Sequence, residues 1–239
     1  MHKYGNPTLF MYIADTLMPF LLVTCIGLLG FGLYLGLLVS PPDAVQGEAV
    51  RIMYIHVPSA WMSMSVYALM AFCSAMFLIW RNPFAFILAR AAASFGAAFT
   101  LTALITGALW GKPTWGTYWV WDARLTSFLI LFLMYMGFIA LSQAFTSSER
   151  GMRPAAYLAV LGALNLPIIK WSVTWWHTLH QPASVFKFAK PSIHPTILIP
   201  LLIMGLGFFF LFVVLWIVKA KNMLIERKIE NHLWSHAGA

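Results

Sequence analysis

Three groups of residues in this chain have types and spacings that could do chemistry. The first is Trp115-Gly116-Thr117-Tyr118-Trp119-Val120-Trp121-Asp122, four aromatic side chains and one carboxylate within eight positions. Rings at that density make a flat, polarisable surface suited to a large planar ligand. The second group is a pair of histidines, His56 and His180, one on each side of the aromatic stretch in the chain. A neutral imidazole ligates porphyrin iron well, and two of them on opposite faces of the ring give six-coordinate iron. The third group is cationic. Arg51, Lys112, Arg124 and Lys187 are available to pair with the propionates of such a ligand. Arginine is the better carboxylate partner because its fork binds bidentately, which selects Arg51 and Arg124.

Each group also has a plainer reading. Trp and Tyr collect at membrane interfaces without binding anything. A single histidine beside a membrane span is commonly an interfacial polar residue. Arg124 could cap the interface or pair with Asp122. His177 lies one helical turn before His180 and could take its place, and His194, ahead of Pro195, is a weaker candidate. His2, His232 and His236 fall in the terminal segments and read as solvated. If Trp115–Asp122 is helical, Trp115, Tyr118, Trp119 and Asp122 share one stripe, an apolar platform ending in an acid. Gly116 then lets a ligand approach the backbone.

The elements that must position these residues are membrane spans. The chain has 239 residues, 61% hydrophobic and 9% charged. Soluble domains carry about 25% charged residues, so the surface that water requires is missing. A span needs roughly 20 apolar residues to cross about 30 Å of hydrocarbon. Six segments qualify, at approximately 17–39, 60–80, 91–110, 125–145, 156–175 and 197–218. The predicted fold is an all-α polytopic membrane protein with six transmembrane helices, and residues 1–239 form a single integral membrane domain. The first apolar run is too long for a signal-peptide core and reads as a first span. The third span is rich in small residues and should pack centrally. The fifth contains Asn165, Pro167 and Lys170; Pro167 should kink or interrupt it, and Lys170 should snorkel to the surface.

Parity then groups the chemistry. With six crossings, the loops after the first, third and fifth spans share one side. Those loops hold His56, the aromatic cluster and His180. For orientation, Lys3, Arg81, Arg90, Arg150, Arg153, Lys219, Lys221, Arg227 and Lys228 fall on the terminal side, against Arg51, Lys112, Arg124, Lys170, Lys187 and Lys190 on the other. The positive-inside rule places both N- and C-termini in the cytoplasm. The aromatic loop then faces outward, into the periplasm of a bacterial source.

Other chemistries find little support. Cys25 and Cys73 lie within apolar runs and form no C-x-x-C, which argues against covalent haem attachment and dithiol chemistry. There is no P-loop, G-x-S-x-G, H-E-x-x-H or cysteine–histidine zinc pattern. The net charge of +8 fits lipid headgroups and orientation, with no basic run suited to nucleic acid. Asp15, Asp43, Glu48 and Glu149 read as loop residues, too scattered for a carboxylate-driven ion pathway.

The string Trp-Gly-Thr-Tyr-Trp-Val-Trp-Asp-Ala-Arg-Leu-Thr at 115–126 resembles the tryptophan-rich "WWD" signature of haem-handling membrane proteins, with the WWD loop at about 110–125. Six spans in 239 residues look like the C component of the cytochrome c maturation system, the CcmC type. Tyr54-Ile55-His56-Val57-Pro58 is similar to that family's histidine before the second span, and Trp175-Trp176-His177-Thr178-Leu179-His180-Gln181 to its last outward loop. The resemblance covers almost the whole chain. It implies haem b held at the periplasmic face of the bacterial inner membrane. His56 and His180 would ligate the metal, and Trp115, Gly116, Tyr118, Trp119, Trp121, Asp122, Arg51 and Arg124 would surround the cofactor. It further implies delivery to a periplasmic haem chaperone, which becomes covalently linked to a haem vinyl group. An ABC-type ATPase, permease subunits and a small single-span membrane protein would share the complex. The role the resemblance implies is a haem-delivery component that promotes covalent attachment to the chaperone by positioning, rather than a classical enzyme.

Two further readings compete. A secondary transporter or permease wants broken helices and mid-membrane polar groups in related halves, and only Asn165, Pro167 and Lys170 hint at that. A dihaem electron-transfer subunit expects histidines buried within spans.

Overall fold

Length and apolarity dictate helices here, because lipid offers no partner for a backbone N–H or C=O and a helix satisfies both internally. The computed structural model describes residues 6–144, 149–180, 185 and 192–237, and among them the regular structure is helical throughout. Seven α-helices follow in order: α1 Pro7–Tyr34, α2 Met53–Trp80, α3 Pro83–Trp115, α4 Ala123–Gln143, α5 Glu149–Gly162, α6 Asn165–Trp175 and α7 Pro195–Ala237. A π-turn at Leu35–Val39 prolongs α1, and a 3-10 turn at Glu48–Ile52 leads into α2. With α5 and α6 counted as one crossing, six segments are long and apolar enough to span a membrane.

The helices start and stop where local chemistry directs. Asn6 and Asn82 cap α1 and α3 through side-chain oxygens that accept from Thr8 and Phe84 N–H, each followed by Pro at the first helical position. The helices run past the apolar windows at both ends. Asp15 is therefore a helix residue, not a loop residue; it pairs with Lys221 of α7 and ties the outer helix α1 to α7. His56 likewise stands inside α2 instead of in a preceding loop. The reason is packing, since Met53 and Tyr54 ahead of it are buried against Leu201 and Met204 of α7.

The fifth crossing breaks at Ala163–Leu164, four residues before Pro167. Proline has no N–H to offer the carbonyl four residues back, and that carbonyl, of Ala163, accepts from Leu166 N–H at 3.1 Å instead. Asn165 is buried and donates to the Ser127 carbonyl at 2.8 Å, while Lys170 is exposed. This polar group thus closes a helix break against α4.

The small residues of α3 do place it centrally. Ala89, Ala91, Ala92 and Ala93 are wholly buried, and α2 packs along the helix. Gly96 faces the ring of Tyr135, a fully buried residue whose hydroxyl donates to the Ser63 carbonyl at 2.7 Å. Cys25 and Cys73 are buried free thiols. By contrast, α1 shows Tyr12, Phe20, Val23, Ile26 and Phe31 on its exposed surface, apolar groups that a hydrocarbon environment accepts.

Candidate functional site

The last turns of α3 organise one end of the bundle. Thr106, Gly107 and Trp110 lie on one helical face, and His56 of α2 leans against all three. His56 Nδ1 is 3.1 Å from Thr106 Oγ1. A Cβ on Gly107 would stand 2.9 Å from His56 Cε1, so glycine makes the room the ring occupies. The Trp110 ring meets the imidazole edge-on, with centroids 5.6 Å apart. Trp110 is itself fixed from above, its Nε1 donating to Gln46 Oε1 at 2.9 Å. Gln46 belongs to a tight turn in which Asp43 Oδ1 accepts from the Val45 and Gln46 N–H groups.

The aromatic loop is not helical. α3 stops at Trp115 because Gly116 takes a left-handed conformation at φ +78°, and its N–H bonds the Lys112 carbonyl at 3.0 Å. Asp122 then starts the next helix, its Oδ1 accepting from Leu125 N–H at 2.7 Å. The single helical stripe of Trp115, Tyr118, Trp119 and Asp122 therefore does not form. Trp115 turns to His180, with ring centroids 4.7 Å apart. Trp119 and Trp121 pack edge-to-face at 5.4 Å, and Thr117 Oγ1 bonds the Trp119 carbonyl at 3.0 Å. Tyr118 and Trp121 are exposed, and Lys112 Nζ lies over the Tyr118 ring. Gly116 has open space where its Cβ would be, so its dihedral, not crowding, requires glycine.

His180 reaches the same place from the segment after α6. Its Nδ1 is 3.5 Å from Asp122 Oδ2, the outer limit of a hydrogen bond, on a carboxylate side chain only 8% exposed. His177 is exposed to solvent, so the two histidines of this segment have different surroundings. His194 bonds Thr196 Oγ1 at 2.8 Å at the start of α7. Burial pushes the His180 imidazole below its ordinary range, Arg124 pushes the same way, and Asp122 opposes both. Arg124 sits within electrostatic reach of Asp122, His180 and His56, and the two histidines are within reach of one another.

Arg51 has other partners. Its guanidinium pairs with Glu48 and donates to the Gly36 carbonyl at 3.1 Å, at the junction of the first two spans. Among the described residues no contact joins it to either histidine. Lys187 lies outside the described residues.

Among the described residues, buried Trp119 Nε1 has no hydrogen-bond partner, and buried Asp122 Oδ2 and His180 Nδ1 have only each other, at a long 3.5 Å. Buried polar atoms are ordinarily satisfied, so such a cluster suits a place where a ligand or water completes the network. Two imidazoles, each with an indole against it, and one nearby arginine form a donor set that fits haem. Thr106, Gly107, Trp110 and Gln46 carry no motif of their own. Gly107 and Thr106 stand three and four positions before Trp110, one helical turn, and that spacing is the trace they leave in the sequence.

Fold and site together define a polytopic helical membrane protein with a histidine–tryptophan cluster at one end of its bundle. The family model described as heme exporter protein C matches residues 1–235. The chain is 50% identical over 227 residues to heme exporter protein C of Bradyrhizobium diazoefficiens, covering 95% of this chain and 86% of that one. The protein of the same name from Haemophilus influenzae is 43% identical over 95% of this chain and 92% of its own. That from Escherichia coli is 40% identical over 94% and 91%. The chain belongs to the heme exporter protein C family.

Proposed function

We propose that this protein handles haem for cytochrome c biogenesis, holding haem b between His56 and His180 beside the aromatic loop and presenting it to a haem chaperone. The relatives' names, heme exporter protein C, point to the cargo. The convergence of His56 and His180, each with Nδ1 turned to an oxygen atom, carries the site assignment. That arrangement leaves Nε2 of each ring for the metal, as in carboxylate–histidine–metal pairs.

The chain's own residues bind and orient. Two imidazoles fix the iron and the ring plane. Trp110, Trp115, Trp119 and Trp121 cover apolar faces against water. Arg124, close to both histidines, offers its guanidinium to a propionate. Haem itself supplies the vinyl group at which the chaperone becomes linked, and the protein's contribution is positioning.

Residues 1–239 act as one integral membrane domain, in the inner membrane of a bacterium. Both termini are cytoplasmic and the histidine cluster faces the periplasm, an orientation that rests on the charge distribution. An ABC-type ATPase with its permease subunit and a small single-span protein complete the assembly.

The test is an absorption spectrum of the purified protein with a pyridine haemochrome assay, beside His56→Ala and His180→Ala. A bis-histidine spectrum weakened or shifted in both variants supports the reading. A parent protein without haem, even when co-expressed with the chaperone, refutes it.

A further inference from the structure

We propose that Thr106 is a positioning residue that sets the tautomer of His56 and so selects the ring nitrogen presented for ligation, an inference that rests on the haem-binding reading above. The argument is one of proton accounting. The Thr106 hydroxyl has a single proton, and its acceptors lie behind it on α3. Oγ1 is 2.6 Å from the Thr102 carbonyl and 3.4 Å from the Ala103 carbonyl. The hydroxyl therefore donates backwards along its own helix. What it offers His56 at 3.1 Å is a lone pair. A neutral imidazole has one N–H and one bare nitrogen. Facing that lone pair, with the Ala103 carbonyl beside it as a further acceptor for the ring, Nδ1 carries the hydrogen, and Nε2 is left with the electron pair that binds a metal.

The same helical face holds the ring in place. Gly107 admits Cε1, since a Cβ there would stand 2.9 Å from it. Trp110 closes a further edge at a centroid distance of 5.6 Å. Rotating the ring to offer Nδ1 instead would give up the Thr106 bond. Thr106 faces His56 Nδ1 at 3.1 Å as Asp122 faces His180 Nδ1 at 3.5 Å, with a hydroxyl whose own proton is committed elsewhere in place of a carboxylate.

The experiment compares the parent with Thr106→Val, which keeps the shape and loses the acceptor, and Thr106→Ser, which keeps the acceptor. The first readout needs no haem. Nitrogen-15 NMR of histidine-labelled, haem-free protein, with the His56 signal assigned by its loss in His56→Ala, reports which nitrogen is protonated. The second is haem titration followed by absorption. The Nδ1-protonated form should dominate in the parent and the Ser variant and give way to a mixture in the Val variant. Haem affinity of the Val variant should fall roughly 10- to 100-fold, the usual cost of losing an outer partner of a metal-binding histidine, with Ser restoring it. A Val variant with the parent's tautomer, or with the parent's affinity, overturns the proposal. A His56→Ala protein that binds haem like the parent would instead sink the haem-ligand assignment, while the haem-free spectrum still judges the Thr106 contact by itself.

Discussion

Asp122 serves two partners with its two oxygens. Oδ1 accepts from the Leu125 N–H at 2.7 Å and starts α4, while Oδ2 faces His180 Nδ1 at 3.5 Å. One carboxylate therefore couples the start of a membrane helix to the placement of a histidine from a distant segment. The aromatic loop is held between that cap and the left-handed turn at Gly116.

Asp122→Asn separates the two roles. The amide oxygen can still cap α4, which turns the NH2 group toward His180. An N–H donor there asks Nδ1 to accept, moving the imidazole proton to Nε2, the wrong tautomer for a metal ligand. The variant should melt near the parent temperature yet bind haem roughly 10- to 100-fold more weakly. Asp122→Ala should lose the cap as well, at a further cost of about 1 kcal/mol. Thermal unfolding in detergent and haem titration check the two effects separately; equal haem affinity in parent and Asn variant would refute the Oδ2 role.

Gly107→Ala tests the room beside His56. The new methyl group would stand 2.9 Å from Cε1, so the ring must turn away from Thr106. The expected outcome is a folded protein with a weakened or high-spin haem spectrum. A parent-like bis-histidine spectrum would show that the ring is not confined by α3.

Gly96→Ala tests the core apart from the site. The added methyl overlaps the ring of Tyr135, which is wholly buried and held by the Ser63 carbonyl. Overpacking of this kind typically costs about 1–3 kcal/mol. A lowered melting temperature should accompany unchanged haem affinity per folded molecule.

The pH dependence of the haem-free protein should carry a contribution from His180. Burial and Arg124 depress its folded-state pKa below the ordinary 6.5, with Asp122 opposing. The unfolded chain then binds the proton more readily than the folded one, so stability rises with pH across that interval. The contribution is fully present above the unfolded value and is lost as pH falls through it toward the depressed folded value. Thermal midpoints measured between about pH 8 and pH 5 should fall more steeply in the parent than in His180→Gln, whose amide does not titrate. Parallel curves would show that His180 is not held neutral.

Much of the architecture is legible in the sequence. The six crossings follow from the lengths of apolar runs, because lipid judges each segment on its own composition. Parity alone brought His56, the aromatic loop and His180 to one end of the bundle, and their contacts with Trp110, Trp115 and Asp122 put them there. The small residues of α3 announced its central place.

The arrangement inside the site was not readable. Spacing predicts a helical aromatic stripe, which does not form because one dihedral at Gly116 and one cap at Asp122 outweigh periodicity over so short a stretch. Arg51 was chosen by residue type, yet Glu48 and the Gly36 carbonyl claim it. Residue type does not separate His177 from His180, whereas in the fold Asp122 and Trp115 stand beside His180 and His177 is exposed. Thr106 and Gly107 have no signature, since their importance lies in what a helix from elsewhere brings against them. Composition and run length are properties of the local chain, and they determined the membrane fold and the end of the bundle at which the histidines and the aromatic loop meet. Which nitrogen faces which oxygen depends on side chains brought together from different crossings, and only the packed bundle could decide that.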